Sequence, residues 1–71
     1  MSDEERGNLG EGTVQWFDAV RGYGFIARDG AADLFVHGSE VEGEPLQPGE
    51  RVSFEVAEGA KGLLAQRVRR L

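Results

Sequence analysis

Residues 22–37 read Gly22-Tyr23-Gly24-Phe25-Ile26-Ala27-Arg28-Asp29-Gly30-Ala31-Ala32-Asp33-Leu34-Phe35-Val36-His37. Two apolar runs flank Asp29-Gly30, a pair that favours tight turns between strands. The stretch predicts a hairpin, with strands over residues 22–28 and 33–37. Side chains alternate between faces along an extended strand. In the first strand Ile26 points one way, and Tyr23, Phe25 and Ala27 point the other. In the second, Leu34 and Val36 share one face, and Phe35 and His37 share the opposite one. Each strand thus has an aliphatic side and an aromatic side, yet a thin sheet has a single core to cover. Branched aliphatics fill a narrow interior well, so Ile26, Leu34 and Val36 are placed inside. Tyr23, Phe25, Phe35 and His37 are left outside, close together across the hairpin. Such a cluster marks an interaction site unless a second layer covers it. Only the N-terminal residues and the 38–50 loop are available to form that layer.

The rest of the chain repeats the short-strand pattern. A first strand is expected over residues 12–18. Over residues 51–58, Val52, Phe54 and Val56 alternate with Ser53 and Glu55, the clearest two-residue period in the chain. Gly59-Ala60-Lys61-Gly62 forms a turn, and a fifth strand follows over residues 63–69. Glycine supplies 11 of 71 residues, about twice the ~7% average, and punctuates these segments. No helical period, heptad or repeat is present. The expected fold is an all-β, five-stranded antiparallel barrel, because closure removes the exposed edges of so small a sheet. Residues 1–11 are expected to form a flexible acidic tail, and residues 12–71 a single domain.

A chain of 71 residues buries only ~60% of its unfolded surface, which leaves no room for a deep catalytic cleft beside a regulatory module. There is no cysteine and one histidine, so neither a disulfide nor a conventional zinc site is expected. His37 and Ser39 lie on a turn with no oxyanion motif, so no catalytic residue is assigned. Gly22-x-Gly24 lacks the third glycine of a dinucleotide loop, and no cofactor is expected. Its glycines read instead as places where a nucleic-acid backbone or base comes close. No run reaches the ~18 apolar residues of a membrane span, and residues 1–12 have no apolar leader core, so a soluble cytoplasmic chain is expected.

The net charge of -5 argues against a purely electrostatic DNA binder. The charge is uneven. Asp3, Glu4, Glu5 and Glu11 against Arg6 give residues 1–11 a net of -3, and the rest holds nine acids and seven bases. A near-neutral body binds nucleic acid when stacking supplies the affinity, at ~1–3 kcal/mol per base. Arg21, Arg28 and Lys61 flank the aromatic hairpin as candidate phosphate contacts. The basic run of residues 66–70 reads as a solvated strand end that balances acidic loops. A protein partner on the same aromatic face is the alternative at this level.

Three motifs sharpen the choice: Gln15-Trp16-Phe17-Asp18, Arg21-Gly22-Tyr23-Gly24-Phe25-Ile26 and Asp33-Leu34-Phe35-Val36-His37. Together they resemble the bacterial cold-shock proteins, the cold-shock domain family, over about residues 12–68. The second motif corresponds to that family's RNP1 and the third to its RNP2. RNA-recognition motifs carry a run similar to the second, but they need two helices that this chain lacks. The resemblance implies an OB-fold barrel that binds single-stranded RNA or DNA with little sequence preference. It implies a monomer acting as an RNA chaperone or regulator of transcription and translation, often under stress. By position, Trp16, Phe17, Tyr23, Phe25, Phe35 and His37 match the family's stacking residues, and Arg21 and Lys61 match basic contacts. Simple alternation would put Trp16 beside the core residue Val14. The family places it on the binding face, so the first strand is expected to bend there.

The chain also departs from the family. Gln15 replaces a usual Lys, Asp18 an Asn, Gly38 an aromatic and Leu63 a Pro. The 38–50 loop is short and lacks its usual aromatic. These departures imply fewer stacking positions and weaker binding than in a typical member. The longer acidic tail is expected to compete with nucleic acid for the platform.

Overall fold

The computed structural model describes residues 9–71. Five strands carry the chain: β1 (Leu9–Asp18), β2 (Tyr23–Arg28), β3 (Ala31–His37), β4 (Arg51–Gly59) and β5 (Gly62–Arg70). A single 3-10 turn, Gly38–Glu40, follows β3. Each expected strand is present; β3 begins two residues earlier than expected, at Ala31, other ends shift by one residue, and the largest change is at the start of β1. Residues 9–11, expected in the tail, are strand: Leu9 pairs with Glu55, Gly10 with Phe54 and Glu11 with Ser53. Gly10 makes this possible, since a Cβ there would lie 2.8 Å from the Phe54 ring. Residues 1–8, and with them the expected competition between tail and platform, lie outside the described residues.

The strands close into a barrel in the order β1-β2-β3-β5-β4, with β1 paired to both β2 and β4. The expected antiparallel pairing holds at every contact but one. Between β3 and β5, Phe35 pairs with Leu64 and Val36 with Ala65 in parallel. The reason is parity. Strand direction cannot alternate all the way round a ring of five, so one contact must be parallel.

Val14, Ile26, Leu34, Val36, Leu46, Val52, Phe54, Ala65 and Val68 fill the interior. The aliphatic side of the hairpin faces inward, as expected. Val56, which continues the alternation of Val52 and Phe54, is half-buried against it. Leu46 enters from the 38–50 loop and plugs the barrel. On β5 the buried residues Ala65 and Val68 are three apart rather than two. Register shifts between Ser53↔Arg69 and Glu55↔Gln66, and Arg67 takes a left-handed φ of 52°. This bulge turns Val68 back into the core.

Arg70 fixes the loop that carries Leu46. Its guanidinium donates to the carbonyls of Glu42 (3.2 Å), Glu44 (2.6 Å) and Pro45 (2.9 Å) and to Glu50 Oε1 (2.9 Å). The Gln47 N–H donates to Glu50 Oε2 at 2.7 Å. The Gln47 hydrogen bond, and then Arg70, hold the Glu50 carboxyl below its ordinary pKa. Arg70→Ala should cost about 2 kcal/mol, as expected for charge-assisted bonds left unmade. That corresponds to a fall in Tm of roughly 8–16 °C for a domain of this size. Because the folded pKa of Glu50 is depressed, its contribution is complete above the unfolded carboxylate range and fades as pH falls through the folded value. Thermal melts across the acid range should show a steeper loss for the native sequence than for Glu50→Gln.

Candidate functional site

The site starts with an irregularity in β1. Val14 pairs with Ile26 and Trp16 with Phe25, so Gln15 is an extra residue on β1. The bulge inverts the alternation. Val14 stays buried while Trp16 turns outward, 40% exposed. This is the bend that the position of Trp16 required. Gly24 then packs under it. A Cβ there would collide with the Trp16 carbonyl oxygen and lie 2.8 Å from the Phe17 Cα. Gly24 is buried, so it admits the neighbouring strand, and the expectation that it admits a ligand is corrected. Gly22 serves the turn, with φ at +81°.

Across the hairpin, Tyr23 faces His37 and Phe25 faces Phe35. Four rings on the outer face form a closed circuit. Trp16 meets Tyr23 at 5.6 Å and Phe25 at 5.4 Å between centroids. Phe35 meets Tyr23 at 5.7 Å, stacked at 30°, and Phe25 at 5.9 Å, edge-on at 77°. Each ring is braced by two others, and such pairs are worth ~0.5–1.5 kcal/mol beyond burial. Tyr23, Phe25 and Phe35 remain half-exposed, so the circuit presents π faces to solvent without a covering layer from residues 9–71. His37 extends the surface beside Tyr23. Its Nδ1 accepts the Ser39 N–H at 3.1 Å and lies 2.9 Å from Ser39 Oγ.

Phe17 does not join this circuit. It packs half-buried against the core and lines a hollow of about 140 Å³ with Gly22, Gly38, Val41 and Pro45. A Cβ on Gly38 would sit 3.4 Å from the Phe17 ring, so the glycine leaves that ring's edge uncovered.

The bases divide into two groups. Arg51, Arg67, Arg69 and Arg70 lie 3.7, 3.2, 3.7 and 2.9 Å from Glu11, Glu55, Glu42 and Glu50. The basic C-terminal run is thus balanced by acids, as expected. Arg21 lies 3.8 Å from Asp18, which also accepts the Val20 and Arg21 N–H groups at 3.0 Å. Interaction with Tyr23, and then the Asp18 charge, raises the Arg21 pKa above its ordinary value. Among the described residues, Arg28 and Lys61 are the bases with no carboxylate partner within 4.0 Å. Both line one cleft of about 770 Å³ with Phe25, Phe35, Leu63 and Leu64. The resemblance pointed to Lys61. Arg28 joins it from the end of β2, where its place next to the turn was the only signal. Leu64 reaches the cleft through the β3–β5 contact, which no local pattern announces.

The arrangement is a surface of π faces with cations at its margin, and it matches known proteins along nearly its whole length. The sequence profile of the 'Cold-shock' DNA-binding domain family matches residues 10–71. The Major cold shock protein of Micrococcus luteus is 52% identical over 64 residues, which cover 84% of this chain and 96% of the relative. Cold shock protein CspC of Bacillus subtilis is 43% identical over 63 residues, covering 84% of this chain and 96% of the relative. Among solved structures, drosophila Unr CSD456 superposes with a TM-score of 0.74 at 27% identity. That match covers 89% of this chain and 26% of the longer one.

Proposed function

The chain belongs to the 'cold-shock' DNA-binding domain family, and on that premise we propose that it binds single-stranded RNA or DNA by base stacking. Trp16, Tyr23, Phe25 and Phe35 are the stacking surface, His37 extends it, and Phe17 is a secondary contact reached through the Gly38 gap. Lys61 and Arg28 hold phosphates at one margin and Arg21 at the other, its charge shared with Asp18. The carrying observation is the closed circuit of four outward rings. In a duplex the bases already stack and pair, so such a surface favours splayed single strands. Holding bases this way competes with pairing, which is how a monomer would act as an RNA chaperone and influence transcription or translation.

Trp16 is the only tryptophan and reports on the surface directly. Oligo-dT or oligo-U of about seven nucleotides, within the span of one OB fold, should quench its fluorescence. A duplex of equal length should not. No response to any single strand at tens of micromolar would refute the reading. Salt tests the division of the bases. With two phosphates neutralised by Lys61 and Arg28, and a third in part by Arg21, the slope of log K against log salt should be about -1.4 to -2.1. A slope near -5 would mean that the paired arginines bind phosphate too.

A further inference from the structure

At the His37 end of the surface, the geometry decides which atom of the imidazole carries its proton. Nδ1 accepts the Ser39 backbone N–H at 3.1 Å. A ring nitrogen that accepts has no hydrogen of its own, so in the neutral ring the proton is on Nε2. Ser39 Oγ lies 2.9 Å from Nδ1, within reach to donate to the same nitrogen once the backbone N–H has set its role as acceptor. The opposite tautomer would set an Nδ1–H against the Ser39 N–H. The turn that His37 caps through Nδ1 has anchors besides that bond. In this 3-10 turn, Gly38–Glu40, the Gly38 N–H donates to the Gly22 carbonyl at 2.7 Å and the Val41 N–H to the Gly38 carbonyl at 3.1 Å. Glu40 Oε1 accepts the Arg67 N–H at 3.2 Å, which ties the turn to the β5 bulge. The scaffold thus holds the serine, and the serine holds the ring.

We propose that Ser39 is a positioning residue that locks His37 as the Nε2–H tautomer, so that this end of the platform offers one fixed hydrogen-bond donor to an oxygen acceptor on the bound strand. The proposal rests on the single-strand reading above and adds a direction to it. A stacking ring alone tolerates any base, whereas a fixed donor rejects a hydrogen-bond donor placed opposite it. Two kinds of oxygen have the required chemistry: a keto oxygen of a base, and a phosphate oxygen.

The test has a spectroscopic arm and a binding arm. In alkaline buffer, long-range proton–nitrogen correlation spectra of free protein should show His37 protonated at Nε2. Ser39→Ala removes one of the two donors to Nδ1 and should shift the ring toward a tautomer mixture. Its melting temperature should stay within a few degrees of the native value. Oligo-dT affinity should fall about threefold in Ser39→Ala and about five- to tenfold in His37→Phe, which keeps a flat ring and loses the donor. The acceptor is located by changing the strand one position at a time. One series uses a thymine analogue without its 4-keto oxygen, and the other uses uncharged methylphosphonate linkages. The position whose change weakens the native protein but leaves His37→Phe unaffected carries the acceptor, and the series in which it occurs names the oxygen. An Nδ1–H signal in the native protein would overturn the proposal. So would unchanged affinity in Ser39→Ala despite a shifted tautomer, or the absence of any such position in both series. If the native protein binds no strand at all, the single-strand reading fails instead, and the spectra still report the tautomer.

Discussion

Replacing Phe35 with alanine should weaken binding of oligo-dT by about 2 kcal/mol, or roughly 30-fold, the middle of the range for removing one base-stacking ring. Phe35 is the better target than Trp16, whose loss would also remove the fluorescence probe. It touches both Tyr23 and Phe25, so its truncation removes a stacking face and loosens the two rings that lean on it. Phe25→Ala should cost a similar amount. The double variant should lose less than the product of the two, because the rings share an edge-on contact and residues in contact are not additive. Stability should respond far less, since both rings lie outside the buried core. Anisotropy of a labelled oligonucleotide together with thermal melts separates the effects. Native-like affinity, within twofold, in both single variants would exclude the aromatic circuit as the binding surface.

The largest effect on stability is expected from Gly24→Ala. The added methyl would be driven into the Trp16 carbonyl oxygen and the Phe17 Cα, and backbone does not swing aside as a side chain does. Overpacking typically costs ~1–3 kcal/mol, and a backbone clash belongs at or above the top of that range. At about 3 kcal/mol the melting temperature falls by roughly 12–24 °C, a large share of the ~5–15 kcal/mol that holds a typical domain. Binding should weaken as well, because β1 must move away from β2 and takes Trp16 with it. Gly30→Ala is the control. Its φ of +72° makes alanine strained, but nothing lies within 4 Å of the new Cβ, so the cost should stay near ~1 kcal/mol. If the two variants melt together, the close approach at Gly24 is not what limits the fold.

These two glycines show what the sequence could and could not disclose. Asp29-Gly30 announces its turn locally, and the alternation around it sorts Ile26, Leu34 and Val36 from Phe25 and Phe35 without further information. Gly24 was legible only as a place of close approach, and the approaching partner, β1, became visible only in three dimensions. Trp16 needed the resemblance because the bulge at Gln15 inverts the parity on which strand reading depends. Leu46 has no period to betray it, since it plugs the core from a loop. Phe17 was grouped with the stacking residues by its motif, yet alternation resumes past the bulge, so with Trp16 turned outward Phe17 turns back toward the core. Position beside the hairpin and its turns already set Arg28 and Lys61 apart from residues 66–70, but the particular carboxylates that Arg67 and Arg70 meet, Glu55 and Glu50, showed only in three dimensions.

The single parallel contact between β3 and β5 has a consequence for the order in which the protein is made. A nascent chain that has emerged as far as His37 already carries Trp16, Tyr23, Phe25 and Phe35. It still lacks Leu46, Val52, Phe54, Ala65 and Val68, which cover the other side of the same hairpin. Both faces of that hairpin are therefore bare together during synthesis, and so short a sheet is marginal alone. The hairpin gains a defined inside only when β5 emerges and docks along β3. The aromatic circuit is made first and gains its full backing last.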